Sequence, residues 1–296
     1  MKPKHITKTK ATKVLANIGE ELIYFKPIID DDSFCNPSSF VNNYVLRQVN
    51  QIWPDKSKAE VSAIKFAQKI GVPVPKIYYY DDKHILMEKA KGERLDKIWD
   101  SISSKEKKSY MKHMIKIVEN MHQHKSKQIG SLFGEEIGKC IDTQKGPYKD
   151  FKEFYLSDYD KRVKYITHPI KKEFVNLREK ISENLNFELD SVFSHQDLGL
   201  KNIFGKNSKI TCIIDWEWGG FFPEIYDFKE LENWCDKEML KQSKLHKEYP
   251  QKLLDYFQLS SLAMRFAYYK EWNIKDEEKY VKELEKEAAK LFSKIK

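Results

Sequence analysis

The chain has 296 residues, 41% of them hydrophobic, enough for one large domain or two lobes around a core. Its net charge of +8 is carried almost wholly by lysine: of 53 basic residues only five are arginine, the forked side chain that base-edge readout favours, so a sequence-specific nucleic-acid binder is disfavoured. No apolar run is long enough for a transmembrane helix, and four scattered cysteines without a C-x-x-C pair give neither a disulfide framework nor a zinc site, so a reducing, cytoplasmic setting is expected.

Lys2, Lys4, Lys8, Lys10 and Lys13 precede any acid, and residues 1–13 read as a flexible, solvated basic tail. They lack the apolar centre of a secretory signal. Residues 21–28 read as a strand. Asn42-Asn43 is the expected turn of a hairpin that leads into a strand at 44–49. Asp55 is placed to cap a helix running to Ile70, which Gly71 and the alternating prolines Pro73 and Pro75 would stop. Residues 76–80 and 84–88 flank Asp81-Asp82, a second hairpin. The outline is a small sheet with one helix.

Two charges in this part stand out. Arg47 interrupts an apolar strand pattern. Glu60 shares a helix face with Ala63, Ile64 and Ala67 at i+3, i+4 and i+7, so it points inward and wants a cation. Arg47 is the nearest suitable one, although the spacing alone also fits a surface salt bridge.

The remainder reads as mostly helical. Ser103 and Glu106 form a capping box. Tyr110, Met111, Met114, Ile115, Ile117, Val118 and Met121 then mark a core-facing helix stripe. His113, His122 and His124 have no acidic or cysteine partner at ligand spacing and read as ordinary histidines. An aromatic-rich helix is expected over 149–159 and another from His168-Pro169 to about 185. From Lys229 onward the chain is helical and charge-laced.

The most informative stretch is His195-Gln196-Asp197-Leu198-Gly199-Leu200-Lys201-Asn202, followed by Ile213-Ile214-Asp215-Trp216-Glu217. Residues 191–194 read as a strand entering the first motif, and 209–214 as a buried strand ending at Asp215. Asp197 is the candidate base for an attacking hydroxyl. Asn202 and Asp215 are candidates to share Mg²⁺. Phosphoryl transfer needs such parts, because it rests on positioning and charge neutralisation. H-x-D-x-x-x-x-N followed by I-D-W-E resembles the aminoglycoside phosphotransferase and choline kinase group, and the run IIDWEWGGFFPEIYDF resembles its fungal-type branch.

That resemblance covers roughly residues 40–235. It implies an α+β, protein-kinase-like two-lobed fold, with a nucleotide-binding N-lobe over 1–88 and a C-lobe over 89–296. It implies ATP or GTP with Mg²⁺ as cofactors and a small-molecule hydroxyl as acceptor, with no membrane or nucleic-acid partner. Arg47, held by Glu60, would contact phosphate. Met87 would be the gatekeeper, and the Glu88 carbonyl and Ala90 amide would bond the adenine. Asp227 would hold the 195–202 loop, and His195 would support it.

The chain departs from the pattern in lacking glycines in the expected phosphate loop, residues 30–39, where Ser33, Ser38 and Ser39 are the remaining donors and Asp30 to Asp32 would repel phosphate. That gap keeps a non-enzymatic nucleotide-binding protein open as an alternative. A protein kinase fits less well, with Gly199 where a lysine would stand and Asp215-Trp216-Glu217 in place of a D-F-G triplet. From Asp215 to Glu238 eight acids stand against two lysines, interleaved with aromatics. Such a mixture suits an amine-bearing acceptor. It is also what turn packing and helix N-termini collect.

Overall fold

The structure, a computed structural model, describes residues 6–28, 36–49, 55–271 and 276–295. The chain groups into two compact units, one joining Met1–Pro147 to Asp190–His246 and the other joining Tyr148–Leu189 to Lys247–Lys296. The lobe boundary expected at residue 88 falls inside the first unit.

The first unit opens with helix α1 (Lys8–Ala16), where a flexible tail was expected. Ala11, Val14 and Leu15, at i, i+3 and i+4, supply an apolar stripe between the lysines. With Ile6 they pack against Val41, Leu46 and Leu86. Residues 1–5, with Lys2 and Lys4, lie outside the described residues.

Strands β1 (Phe25–Ile28), β2 (Ser38–Val41), β3 (Tyr44–Gln48), β4 (Ile77–Tyr80) and β5 (His84–Glu88) form an antiparallel sheet in the order β1-β2-β3-β5-β4. The strand expected from residue 21 begins only at Phe25. The amides of Ile23 and Tyr24 donate instead to Asn42 Oδ1, at 2.9 and 3.1 Å. Asn42 itself adopts φ 50° at the β2–β3 turn, a left-handed conformation that asparagine tolerates. The β4–β5 turn closes on Asp81 Oδ1, which accepts from the amides of Lys83 and His84 at 2.7 Å each.

Helix α2 (Lys56–Lys69) spans the expected range, but Asp55 does not cap it through its side chain. Asp55 sits at φ 63° and its carboxylate pairs with Lys139 at 2.9 Å. Ser38 and Ser39, expected in the phosphate loop, are β2 residues. Ser33 and Asp30 to Asp32 lie outside the described residues, as does Cys35.

After β5 come β6 (Glu93–Arg94), α3 (Leu95–Ile98), α4 (Ser104–Met121), β7 (Lys125–Ser126), β8 (Gly130–Phe133) and β9 (Glu136–Ile137). The Ser103–Glu106 capping box is present at the start of α4. Residues 190–246 add β10 (Ser191–Ser194), β11 (Ile203–Lys206), β12 (Lys209–Ile213), β13 (Gly220–Pro223) and the helices Ile225–Glu232 and Lys237–Lys241. Among the described residues these strands complete two further sheets, ordered β7-β10-β13-β8-β9 and β12-β11-β6. Gly92, at φ 92°, leads into β6, and a Cβ there would stand 2.3 Å from the Gly205 carbonyl oxygen. Only glycine lets that segment lie against β11.

The second unit is helical, built from Phe151–Tyr165, Lys171–Asn184, Gln251–Tyr268 and Glu277–Ile295. Its core is aromatic: Tyr155, Tyr159, Phe174, Tyr256 and Phe266 are fully buried. The buried hydroxyl of Tyr159 donates to the Phe174 carbonyl at 2.8 Å. No helix among the described residues is long and apolar enough to cross a membrane.

Candidate active site

The first unit gathers the sequence-predicted charged residues. β3 brings Arg47 in, opposite Ser38 on one side and Ile85 on the other. The same face of α2 that buries Ala63, Ile64 and Ala67 buries Glu60 completely. Arg47 Nη1 donates to Glu60 Oε1, so the expected pair forms in the interior. Its Nη2 donates to Asp215 Oδ1 at 2.8 Å and to Glu217 Oε2 at 2.7 Å. Glu217 Oε2 also meets Lys56 Nζ and Asn36 Nδ2, both at 2.7 Å.

Three carboxyl groups therefore surround two buried cations. Burial works against the Arg47 charge, but Asp215, Glu60 and Glu217 hold the guanidinium well above its ordinary range. Burial works to raise Asp215, but Arg47, His195 and Lys56 together outweigh it and hold the carboxylate below its usual range. Glu60 goes the other way: its own burial, helped by Asp215 and Glu217, pushes it up to about 7 against the pull of Arg47.

A second network fixes residues 195–202. Asp227 lies fully buried in the helix Ile225–Glu232 and accepts from the amides of His195 at 3.1 Å and Gln196 at 2.8 Å. Its other oxygen is 3.1 Å from His122 Nε2. His122 thus has an acidic partner from a distant part of the chain, which local spacing did not reveal. His195 accepts the Asp197 amide at Nδ1, 3.2 Å, so its Nε2 carries the proton and donates to the Ile214 carbonyl at 2.9 Å. The Ile214 amide in turn donates to the Asn202 carbonyl at 2.9 Å. These bonds set the residue before Asp215 against the 195–202 loop. Asp215 then leaves β12 at φ 67°.

Asn202 Nδ2 donates to the Asp197 carbonyl at 2.9 Å and to Asp197 Oδ2 at 2.8 Å. With the amide nitrogen engaged, Oδ1 is the Asn202 atom left to accept. Lys201 Nζ is 3.4 Å from Asp197 Oδ2. An amide oxygen and a carboxylate on neighbouring segments are hard oxygen donors that fit Mg²⁺, which takes one or two protein ligands and fills its shell with phosphate and water. No group of three or more His, Cys, Asp or Glu side chains suited to a metal occurs among the described residues.

Met87 is buried on β5, paired with Val45, and Glu88 is paired with Tyr44. Ala90 follows where the chain has left the sheet, so these three sit further along the β3–β5 pair than Arg47.

Sequence reasoning missed Lys56 and Asn36. Lys56 carried one signal: it lies four residues before Glu60 and so on the same helix face. The aromatic stretch after Asp215 is mainly packing. Trp216, Phe221, Phe222 and Phe228 are buried, and Trp216 stacks on Phe193 with ring centroids 5.5 Å apart. The acid excess is also largely engaged. Asp215, Glu217 and Asp227 bond internally, Glu232 and Glu238 pair with Lys229 and Lys241, and Asp236 caps a helix.

Glu230, bonded to Asn233, stands apart in its titration. Burial pushes it up to about 7, with Asp197 and Asp227 adding to the effect. Its ionised form costs more in the folded than in the unfolded chain, so it destabilises the protein above pH 7. The penalty fades as pH falls from there towards 4.5, its ordinary value, where both states are protonated. Glu230→Gln is therefore expected to stabilise the protein at pH 8, on the order of 1–2 kcal/mol, and to have little effect near pH 4.5. Denaturant unfolding at the two pH values measures this. An equal effect at both would remove the ionisation as its cause.

A family model described as the phosphotransferase enzyme family matches residues 33–239. The chain is also similar to solved aminoglycoside phosphotransferases. ADP-bound APH(2'')-Ib is 18% identical with a TM-score of 0.58, covering 97% of each chain. The streptomycin–ATP complex of APH(2'')-IIa is 18% identical with a TM-score of 0.60, covering 97% of this chain and 99% of that one. APH(2'')-IIIa with GDP and kanamycin is 13% identical with a TM-score of 0.65, covering 96% and 99%. No curated protein sequence matches the chain. At these identities the structural likeness establishes the fold, which is α+β and protein-kinase-like.

Proposed function

The chain belongs to the phosphotransferase enzyme family, and on that premise we propose that it transfers the γ-phosphoryl group of ATP or GTP, with Mg²⁺, to a hydroxyl of a small molecule. The observation that carries this reading is the convergence of the Asp197–Asn202 loop with Asp215 and the buried Arg47–Glu60 pair. Asp197 orients the acceptor hydroxyl and takes its proton as the oxygen bonds to the γ-phosphorus, whose bond to the β,γ-bridging oxygen breaks so that the nucleoside diphosphate leaves. Arg47, steadied by Glu60, binds phosphate. Asn202 Oδ1 and the Asp215 carboxylate would hold Mg²⁺, which would supply positive charge against the phosphates. Met87 backs the base pocket, and the Glu88 carbonyl and Ala90 amide meet the nucleobase at the end of the N-lobe, residues 1–88.

An amine-bearing acceptor is supported by the relatives crystallised with streptomycin and kanamycin. The acids after Asp215 give it little support, since most are engaged within the protein. The setting is cytoplasmic. Incubation of amine-bearing and neutral metabolites with ATP or GTP and Mg²⁺, with product detected by mass, tests the reading. Nucleotide binding without any phosphorylated product across a broad panel would favour a binding protein on this fold.

The metal assignment has its own test. Asp215→Ala is expected to weaken Mg²⁺-dependent nucleotide binding more than Asn202→Ala does, by about tenfold against a few-fold, because a carboxylate offers the hard cation charge and an amide only a dipole. Calorimetry with ADP at several Mg²⁺ concentrations measures both. Tight, metal-independent binding unchanged by either substitution would overturn it.

A further inference from the structure

Lys56 is the first residue of α2, and it is 1% exposed. A lysine there costs the fold desolvation that an apolar side chain would not. Its Nζ lies 2.7 Å from Glu217 Oε2 and 5.3 Å from the centre of the Trp218 ring. Glu217 is itself 9% exposed. A single oxygen of Glu217 thus takes Arg47, Lys56 and Asn36 together.

Arg47 commits both terminal nitrogens to carboxylates. Its Nη1 serves Glu60, and its Nη2 is divided between Asp215 and Glu217. For Nη2, whose two hydrogens are both engaged, to reach a phosphate it must give up a carboxylate. Were Asp215 to hold a metal ion, that ion would replace Arg47 as its counter-charge. Glu217 has no such substitute from the ligand side, and a buried carboxylate stripped of its cation is strongly disfavoured. Lys56 is the cation that remains on Glu217, and its cation–π contact with Trp218 holds the ammonium where it is.

From this geometry, and resting on the phosphotransferase reading above, we infer that Lys56 is a positioning residue: it holds Glu217 in place of Arg47, so that Arg47 can exchange Glu217 for nucleotide phosphate. Of the two buried cations, only Arg47 touches the nucleotide. Lys56 acts through Glu217, and Asn36 assists it with an uncharged bond.

The test uses the full chain with ADP and Mn²⁺ as separate probes, and Lys56→Met, Lys56→Arg, Glu217→Gln and the Lys56→Met/Glu217→Gln double variant. Without Lys56, Glu217 retains Arg47, so metal-free ADP affinity is expected to fall about tenfold. The same variant has lost a positive charge beside Asp215, so Mn²⁺ alone should bind about threefold tighter. A merely structural lysine would weaken both. Lys56→Arg should restore ADP binding. In the double variant Glu217 no longer holds Arg47, and ADP affinity should return to within about threefold of the unaltered protein.

Should Lys56→Met not fold, Lys56→Arg and Glu217→Gln alone decide, both being expected to bind ADP at least as well as the unaltered chain to within about threefold. Weak ADP binding by Glu217→Gln, or no recovery in the double variant, would overturn the inference. So would unchanged ADP affinity in a folded Lys56→Met protein. If the unaltered chain binds neither ADP nor Mn²⁺, the nucleotide reading itself fails, and this inference with it.

Discussion

Asp197→Asn is expected to lower phosphoryl transfer by about 100-fold or more, while folding and ADP affinity stay close to those of the unaltered protein. The substitution keeps the shape of the side chain and removes its charge and basicity. The local geometry tolerates the change. The Asp197 backbone is held by its own amide to His195 Nδ1 at 3.2 Å and by its carbonyl to Asn202 Nδ2 at 2.9 Å, and neither bond uses the carboxylate. What is lost is the Oδ2 acceptor, which Asn202 reaches at 2.8 Å and Lys201 at 3.4 Å. Single-turnover kinetics with a phosphorylated acceptor as readout, beside calorimetry with ADP, separates the two effects. Turnover equal to that of the unaltered enzyme would remove Asp197 as the base.

Arg47→Ala should be the most damaging single change, in stability as well as activity. It strips the shared cation from Glu60, Asp215 and Glu217 at once. Breaking a buried pair by removing one partner costs about 3–5 kcal/mol, because the other is left charged and unsolvated. Glu60, at 0% exposure, cannot recover water. Its rise to about 7 already reflects that burial, and without Arg47 it would take up a proton more readily still. Arg47→Lys keeps a point charge but loses the fork that serves two directions, so part of the activity and part of the stability should remain. Denaturant unfolding and steady-state turnover of both variants give the measurement. An Arg47→Ala protein that is fully active and stable to within about 0.5 kcal/mol would take Arg47 and Glu60 out of the site.

The charged cluster of the candidate site was legible where chemistry and periodicity coincide. Glu60 is readable because an acid on an apolar helix face has few explanations, and Arg47 because arginine is scarce in this chain. The spacing from Asp197 to Asn202 and Asp215 is legible because strand and loop lengths fix it. Lys56 was not: among so many lysines, a buried one looks like any other, and only the fold shows that it faces Glu217. His122 was hidden for a related reason, since its partner Asp227 is 105 positions away. At the level of elements, the hairpins, the α4 cap and the short strand at 191–194 follow from local pattern. Helix α1 does not, because a short apolar stripe among lysines carries little weight until Val41, Leu46 and Leu86 receive it.

The amide and the carbonyl of Ile214 are both taken by the 195–202 loop, one by Asn202 and the other by His195. One peptide unit on either side of a single apolar residue therefore rivets the segment that carries Asp197 to the one that carries Asp215. Kinetic losses measured at Asp197 and at Asp215 are in consequence not independent quantities. A shift forced at one end is felt at the other, so the free energies of a double variant should fall short of the sum of its singles. Geometric tolerance is shared in the same way.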